Sequence, residues 1–216
     1  MRSIVSFVGK SGSGKTTLLE KVITELKRRD YKVAIIKHSH HKNDLDIAEK
    51  DTWRFTQAGT EISAINSLDH LAIYRRMNEF FDPQDISNYI NLDYDIMLTE
   101  GFKGSNTPKI EVHRSEQGKE LLTDPKLLLA VVTDEPLDIK VPQFSRDDVN
   151  GIADIIEKTI TSKNGENDLT VVINGKTTPV TPQLKDTLSQ TLAAMIPGMQ
   201  NDGEVKNLHI SLRRQH

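Results

Sequence analysis

The first forty residues alternate short apolar runs with a segment of helical periodicity. Residues 3–8 form an apolar run rich in β-branched side chains, which is typical of a strand buried on both faces. After a glycine-rich loop, apolar residues recur at helical spacing at Leu18, Leu19, Val22, Ile23 and Leu26. A second apolar run follows at 33–36. The pattern predicts two parallel strands joined by a right-handed helical crossover.

Similar patterns continue to about residue 160. They predict strands at 62–66, 70–75, 94–99, 109–113 and 127–133, and helices at 51–58, around 86–90 and around 152–160. Apolar strands that alternate with amphipathic helices are typical of parallel sheets. We therefore predict an α/β domain with a mostly parallel sheet over residues 1–162.

The C-terminal quarter of the chain has a different pattern. A polar linker is predicted at 163–168, and a small α+β appendage of ββαβ order at 169–216. Its predicted elements are a strand at 169–173, a turn at Asn174-Gly175, a helix that starts at Pro182 after the capping residue Thr181, and a strand with alternating Leu208, Ile210 and Leu212.

Composition narrows the classes of function. The chain has 216 residues, a net charge of -3 with both signs intermixed, and no cysteine. The missing cysteines exclude disulfides, thiolate zinc sites and cysteine nucleophiles, and they fit a reducing compartment. The mixed charge predicts neither a nucleic-acid surface nor a membrane patch, and no apolar run approaches about 18 residues. We expect a cytoplasmic protein that has no nucleic-acid or membrane partner.

The glycine-rich loop at residues 9–16 matches the phosphate-binding pattern G-x-x-x-x-G-K-[ST]. It lies between a predicted strand and a predicted helix, so that its amides and the helix N-terminus point at one anion. Lys15 is predicted to reach the β- and γ-phosphates as a catalytic residue, and Thr16 to ligate Mg²⁺. The predicted nucleotide-binding residues are Gly9, Ser11, Gly12, Ser13, Gly14, Lys15, Thr16 and Thr17. We accordingly predict a P-loop NTPase three-layer sandwich.

A second acid is expected at the carboxyl end of a neighbouring strand. Asp95 lies at the start of the strand predicted at 94–99, whereas Glu100 follows its end, where ligands bind in open α/β sheets. We predict Glu100 as the catalytic acid that holds the metal or orients water, with Gly101 leaving room for the γ-phosphate. The alternative is a solvated carboxylate at the end of a strand.

Five motifs occur in a characteristic order. They are the phosphate loop, KHSHH at 37–41, KDTWRFTQAGT at 50–60, TEGFK at 99–103 and VVTDEP at 131–136. Together, over about residues 1–160, they resemble the MobB family, the GTP-binding adapter proteins of molybdopterin-guanine dinucleotide biosynthesis. The chain departs from the family's usual Gly-Lys-Asp-Ser run, since it has Glu49-Lys50-Asp51-Thr52.

The resemblance implies a function and its partners. It implies a GTP-binding adapter with weak Mg²⁺-dependent GTP hydrolysis that assists the molybdenum cofactor guanylyltransferase. Molybdopterin or its guanine dinucleotide would be a further partner, and the protein would be a homodimer. It also implies that Asp51 joins Thr16 and Glu100 near the metal.

Three further positions carry open alternatives. Asp134 could read the N1-H and N2-H₂ donors of guanine, or it is a turn residue before Pro136. Lys103 could contact a nucleotide or pterin phosphate, or it is a solvated loop lysine.

The histidine cluster has its own alternatives. Lys37, His38, His40 and His41 could form a cofactor-binding or switch loop, a zinc or nickel site, or a plain surface loop. Two other functions therefore stay open: a metal-delivery GTPase that uses this segment, and a small-molecule kinase with Arg75, Arg76 or Arg146 on a lid.

Overall fold

The computed structural model describes residues 3–39, 50–77, 80–90, 94–118, 120–161, 169, 171–173 and 176–198. Its elements in chain order are β1 (Ser3–Val8), α1 (Lys15–Arg28), β2 (Val33–Lys37), α2 (Asp51–Gln57), β3 (Ile62–Asn66), β4 (Leu71–Arg75), α3 (Pro83–Ile90), β5 (Ile96–Glu100), β6 (Lys109–Val112), β7 (Leu128–Val132), β8 (Gln143–Phe144), α4 (Val149–Thr161), β9 (Val172–Ile173), β10 (Lys176–Thr177) and α5 (Pro182–Met195).

The main sheet has six strands in the order β2-β5-β1-β6-β7-β8. All five strand pairings are parallel, which confirms the predicted α/β fold with a mostly parallel sheet. β1 lies centrally, with β5 on one side and β6 on the other. This reversal of strand order at β1 places the ligand crevice of such a sheet at the carboxyl end of β1, where the phosphate loop begins.

The hydrophobic core lies between the sheet and the helices α1 and α4. Val5, Phe7 and Leu98 on the strands, Leu26 on α1 and Ile156 on α4 are all fully buried. The helical spacing of apolar residues in α1 turns one face to this core, and Lys27 and Arg28 in its last turn complement the helix dipole. The core therefore holds the helix that follows the phosphate loop firmly against β1.

The opposite face of the sheet carries buried polar side chains. Ser6, Thr99 and Lys109 face each other in register, and each is at most 1% exposed. Thr99 Oγ1 donates to Ser6 Oγ at 2.9 Å, and Lys109 Nζ donates to the carbonyls of Ser105 and Thr107. Burial lowers the pKa of the Lys109 ammonium. Ser6, Thr99 and Lys109 thus each have a partner, which avoids the cost of an unsatisfied donor.

β3 and β4 pair only with each other among the described strands, as an antiparallel hairpin. Ser63, on one face, is buried and lies 3.3 Å from the Thr56 hydroxyl of α2. The other face carries Ile62, Leu71 and Ile73, which are 57%, 63% and 61% exposed. The hairpin therefore presents an uncovered apolar face.

Two parts of the chain were predicted less completely. The short strand β8 was missed, since two residues carry no periodicity. In the C-terminal region the helix α5 begins as predicted, and Thr181 Oγ1 accepts a hydrogen bond from the Leu184 amide at 3.3 Å. The predicted linker at 163–168 and the strand with Leu208, Ile210 and Leu212 lie outside the described residues. The appendage as a unit stays a prediction.

Within the described ranges, no helix has both the length and the apolar character that crossing a membrane requires.

Candidate functional site

The phosphate loop depends on glycine at several positions. Gly12 and Gly14 adopt φ values of 75° and 87°, in the left-handed region that other residues rarely enter. Gly9 lies so close to β6 that a Cβ atom would collide with the Val112 carbonyl oxygen and lie 2.9 Å from Ser13 Oγ. Gly14 is also the residue that caps α1. The loop thus curls directly into the helix N-terminus, a geometry suited to binding an anion.

Lys15 lies within the loop that it is predicted to serve. Its Nζ donates to the Lys10 carbonyl at 2.7 Å and lies 3.5 Å from Ser13 Oγ. Burial lowers the pKa of the Lys15 ammonium from 10.5, Glu100 opposes this, and Lys103 adds to the lowering. Bound phosphate would therefore stabilise the charged form of Lys15, as Glu100 does.

Thr16 and Glu100 are 84 positions apart in sequence and meet at the carboxyl edge of the sheet. The Thr16 hydroxyl lies 3.0 Å from each carboxylate oxygen of Glu100. A hydroxyl and a carboxylate are the hard oxygen ligands that Mg²⁺ prefers. The residues present therefore fit a magnesium ion held between the phosphate loop and β5.

Asp51, the third predicted metal ligand, has a partner other than Thr16 or Glu100. It begins α2, and its carboxylate forms an exposed ion pair with Arg54 at 3.8 Å. Thr17 lies exposed in the first turn of α1. The metal-binding role of Asp51 stays a prediction.

His38 packs against the turn after Glu100. Its backbone N–H donates to the Glu100 carbonyl at 2.9 Å, and its ring lies 4.7 Å from the Phe102 ring and 5.7 Å from the Phe80 ring. Gly101 has a φ of 99°, and a Cβ atom there would lie 3.1 Å from His38 Cβ. Gly101 was expected to leave room for a phosphate, but the space beside it is filled by His38. The ends of β2 and β5 are thereby held together beside the candidate acid.

The rest of the histidine segment is only partly described. Lys37 is exposed at the end of β2, opposite Glu100 in register, and Lys103 is exposed after the turn. His40 and His41 lie outside the described residues. Among the residues that the structure does describe, no three His, Cys, Asp or Glu side chains are grouped to hold a metal. Of the arginines considered for a kinase lid, Arg75 lies over the Tyr89 ring at 4.5 Å.

Asp134 follows the end of β7 and already has partners. It accepts a hydrogen bond from the Ser115 backbone N–H at 3.0 Å and one from Arg114 at 3.3 Å. The bond from Ser115 lowers the pKa of the Asp134 carboxyl. Because a carboxylate can accept about four hydrogen bonds, two further donors from guanine are compatible with this arrangement. Its role as a guanine reader stays a prediction.

Sequence reasoning missed a loop that covers the phosphate loop. Gln117 Nε2 donates to the Ser11 carbonyl at 3.0 Å, and Lys10 Nζ donates back to the Gln117 carbonyl. His113, 6% exposed, has its Nε2 2.8 Å from the Gly118 carbonyl oxygen, so Nε2 is the donor. No motif marks Gln117, because its contacts with Lys10 and Ser11, more than a hundred positions away, follow only from the placement of β6 beside β1. Arg146, which the sequence suggested only for a kinase lid, packs on Gly14 of the phosphate loop.

Comparison with known proteins identifies the family of this chain. The sequence model for MobB, described as molybdopterin guanine dinucleotide synthesis protein B, matches residues 4–134. The chain belongs to the MobB family. The family resemblance seen in the sequence motifs is thereby confirmed.

Two relatives of this MobB-family chain are named molybdopterin-guanine dinucleotide biosynthesis adapter protein. The one from Haemophilus influenzae is 39% identical over 164 residues, which cover 71% of this chain and 87% of that protein. The one from Escherichia coli is 33% identical over 171 residues, or 76% of this chain and 97% of that protein. About a quarter of this chain lies outside each match.

Solved MobB structures share the fold. A crystal structure of molybdopterin-guanine biosynthesis protein B aligns with a TM-score of 0.57 and 32% identity over 72% of this chain and 98% of that one. The crystal structure of Bacillus subtilis MobB aligns with a TM-score of 0.59 and 23% identity over 73% of this chain and 98% of that one. The α/β fold of the P-loop class is thereby confirmed.

Proposed function

We propose that this chain is a GTP-binding adapter protein of molybdopterin-guanine dinucleotide biosynthesis, with weak Mg²⁺-dependent GTP hydrolysis, which assists the molybdenum cofactor guanylyltransferase. The observation that carries the nucleotide part is the contact of Thr16 with Glu100 beside the phosphate loop. The pathway and its partners come from membership of the MobB family and from the names of the relatives.

Different residues at the carboxyl edge of the sheet bind the phosphates and the metal ion. The loop amides and the α1 N-terminus receive the phosphates, and Lys15 exchanges the Lys10 carbonyl for phosphate oxygens. Thr16 and Glu100 would hold Mg²⁺, which supplies charge neutralisation at the β- and γ-phosphates. Each group lies at the edge where a parallel sheet binds ligands.

Slow hydrolysis follows from how the neighbouring side chains are used. Fast phosphoryl transfer to water uses a glutamine that orients the water and an arginine that stabilises the transferred group. Gln117, a glutamine beside the loop, donates its amide to the Ser11 carbonyl instead. Glu100 is engaged with Thr16. We therefore expect this protein to act mainly by binding.

Titration with fluorescent GTP and ATP in the presence of Mg²⁺ tests the nucleotide assignment. Lys15→Ala should remove charge-assisted contacts of about 1.5–3 kcal/mol, which is a loss of about ten- to a hundredfold in GTP affinity. Lys27→Ala is the matched control, because Lys27 is exposed in the last turn of the same helix, about 18 Å away. Unchanged affinity in Lys15→Ala would overturn the site, and a clear preference for ATP would overturn the guanine assignment.

The adapter role is tested by co-purification with the candidate guanylyltransferase, with and without Mg²⁺-GTP. We expect a complex whose stability changes when the nucleotide is removed. If no complex forms in either condition, the adapter role is overturned and the chain is a generic GTPase.

The proposal includes a homodimer, supported by the family resemblance and by the hairpin β3–β4. The exposed face of the hairpin carries Ile62, Leu71 and Ile73, and a second copy presenting the same face would cover it by two-fold symmetry. Light scattering should give twice the chain mass of 24.3 kDa. Ile73→Glu should shift this mass toward the monomer, whereas Leu122→Glu, at an exposed apolar residue outside the hairpin, should not. A monomeric parent protein would remove this part of the proposal.

A further inference from the structure

Arg146 is placed against the start of α1 by the loop between β8 and α4. A Cβ atom on Gly14 would lie 3.1 Å from the guanidinium carbon of Arg146 and 3.6 Å from its Nε, with Nη2 closer still. The guanidinium group therefore rests directly on the Cα of the last glycine of the phosphate loop. Gly14 has two tasks as a result, since it adopts a left-handed φ and leaves room for this arginine.

The loop that carries Arg146 is anchored at both sides. Asp147 Oδ1 lies 3.2 Å from Lys21 Nζ on α1, and Asp148 Oδ1 accepts the Gly151 N–H of α4 at 3.0 Å. The Asp148 amide donates to the Ser145 carbonyl at 3.2 Å, which closes the turn. The turn from Ser145 to Asp148 and the bond of Asp148 to α4 hold the backbone around Arg146, whose side chain lies beside the phosphate loop.

Strand order decides which end of a bound nucleotide Arg146 meets. Glu100 is the last residue of β5, on one side of β1, and with Thr16 it marks the side where the metal and the terminal phosphates would lie. Arg146 follows β8, at the far edge on the other side of β1, with Asp134 after β7 next to it in strand order. A nucleotide that spans the loop therefore has its nucleoside end on the side of Arg146.

The chemistry of arginine suits that end. The guanidinium group lies at the positive end of the α1 dipole, against the residue that precedes Lys15, so binding of an anion there is favoured. Its planar donors bind phosphate oxygens in pairs, and its face stacks on aromatic rings such as purines. We propose that Arg146 contacts the α-phosphate and the guanosine of the bound nucleotide, and so makes the site prefer a nucleotide to a bare polyphosphate.

This inference rests on the proposed nucleotide binding, and one set of titrations separates the two. The ligands are GTP and inorganic tripolyphosphate, each with Mg²⁺, and the variants are Arg146→Ala, Arg146→Lys and Lys15→Ala. Arg146→Ala should weaken GTP binding about ten- to a hundredfold and tripolyphosphate binding less than about threefold. Arg146→Lys should recover only part of the GTP affinity, because an ammonium group can neither bind phosphate in paired fashion nor stack. Lys15→Ala should weaken both ligands.

The controls keep loss of folding apart from loss of binding. Arg28→Ala removes an exposed arginine at the opposite end of α1 and should leave both affinities unchanged. Urea midpoints of the Arg146 variants should stay close to that of the parent, and the lysine variant provides the answer if the alanine variant is unstable. Equal losses for GTP and tripolyphosphate in Arg146→Ala, or no loss for GTP, would overturn the role of Arg146. Failure of the parent protein to bind GTP would overturn the proposed function itself.

Discussion

Glu111 offers a sharp test of how the loop over the phosphate site is held. It lies on β6, is 1% exposed, and accepts hydrogen bonds from the backbone N–H groups of Leu122 at 2.8 Å and Thr123 at 2.9 Å. Glu111→Ala removes both acceptors and leaves two backbone donors without a partner. A buried donor left unsatisfied costs about 1–3 kcal/mol, so the expected loss of unfolding free energy is about 2–6 kcal/mol.

Glu111→Gln should be milder and separates the two bonds. An amide retains one oxygen acceptor, but its NH₂ group faces the second backbone donor, so about half of the loss is expected, about 1–3 kcal/mol. The total free energy of unfolding of a natural domain is about 5–15 kcal/mol. The alanine variant should therefore unfold at a much lower urea concentration than the parent protein.

Urea denaturation followed by tryptophan fluorescence and circular dichroism measures these losses. Glu116→Ala is the matched control, because Glu116 is an exposed glutamate of the same loop, and its removal should change stability by less than about 0.5 kcal/mol. If Glu111→Ala costs no more than Glu116→Ala, the buried carboxylate does not support the loop, and the reasoning from unsatisfied donors fails.

Two further predictions concern pH and backbone strain. Hydrogen bonds from Arg28 and Arg29 lower the pKa of the Glu25 carboxyl from 4.5 to about 2. Its stabilising effect is complete above the unfolded pKa and is lost as pH falls through the folded one. Glu25→Gln should therefore be less stable than the parent near neutral pH, and urea midpoints should converge as pH approaches about 2. Gly101→Ala should cost about 1–2 kcal/mol because φ is 99° and His38 is close, whereas Gly104→Ala, with open space around it, should be nearly neutral in the same assay. Equal stability of the two alanine variants would contradict the expected backbone strain at position 101.

Much of the fold and the centre of the site follow from local sequence. The phosphate loop is a contiguous pattern, and its position between a β-branched strand and an amphipathic helix is visible in the periodicity. Glu100 was predicted because parallel strands end at one edge of the sheet, and the structure places its carboxylate 3.0 Å from the Thr16 hydroxyl. The helices α1 and α4 could be predicted from the spacing of their apolar residues, because each helix turns one apolar face to the same continuous core.

Other features depend on which strands become neighbours, and periodicity carries no information about that. Strand order places the loop of Gln117 over Ser11, gives Asp134 a partner in Ser115, and brings Arg146 onto Gly14 across more than a hundred positions.

Burial on the second face of the sheet is also a tertiary outcome. Lys109 and Glu111 read as ordinary polar positions of a strand, yet both are buried, because loops fold over them and supply hydrogen-bond partners. The sequence alone thus determines the phosphate loop and the acid that faces it, since both depend on local pattern and on the common edge of parallel strands. Only the tertiary structure decides which distant side chains complete the site, because those contacts follow from strand order.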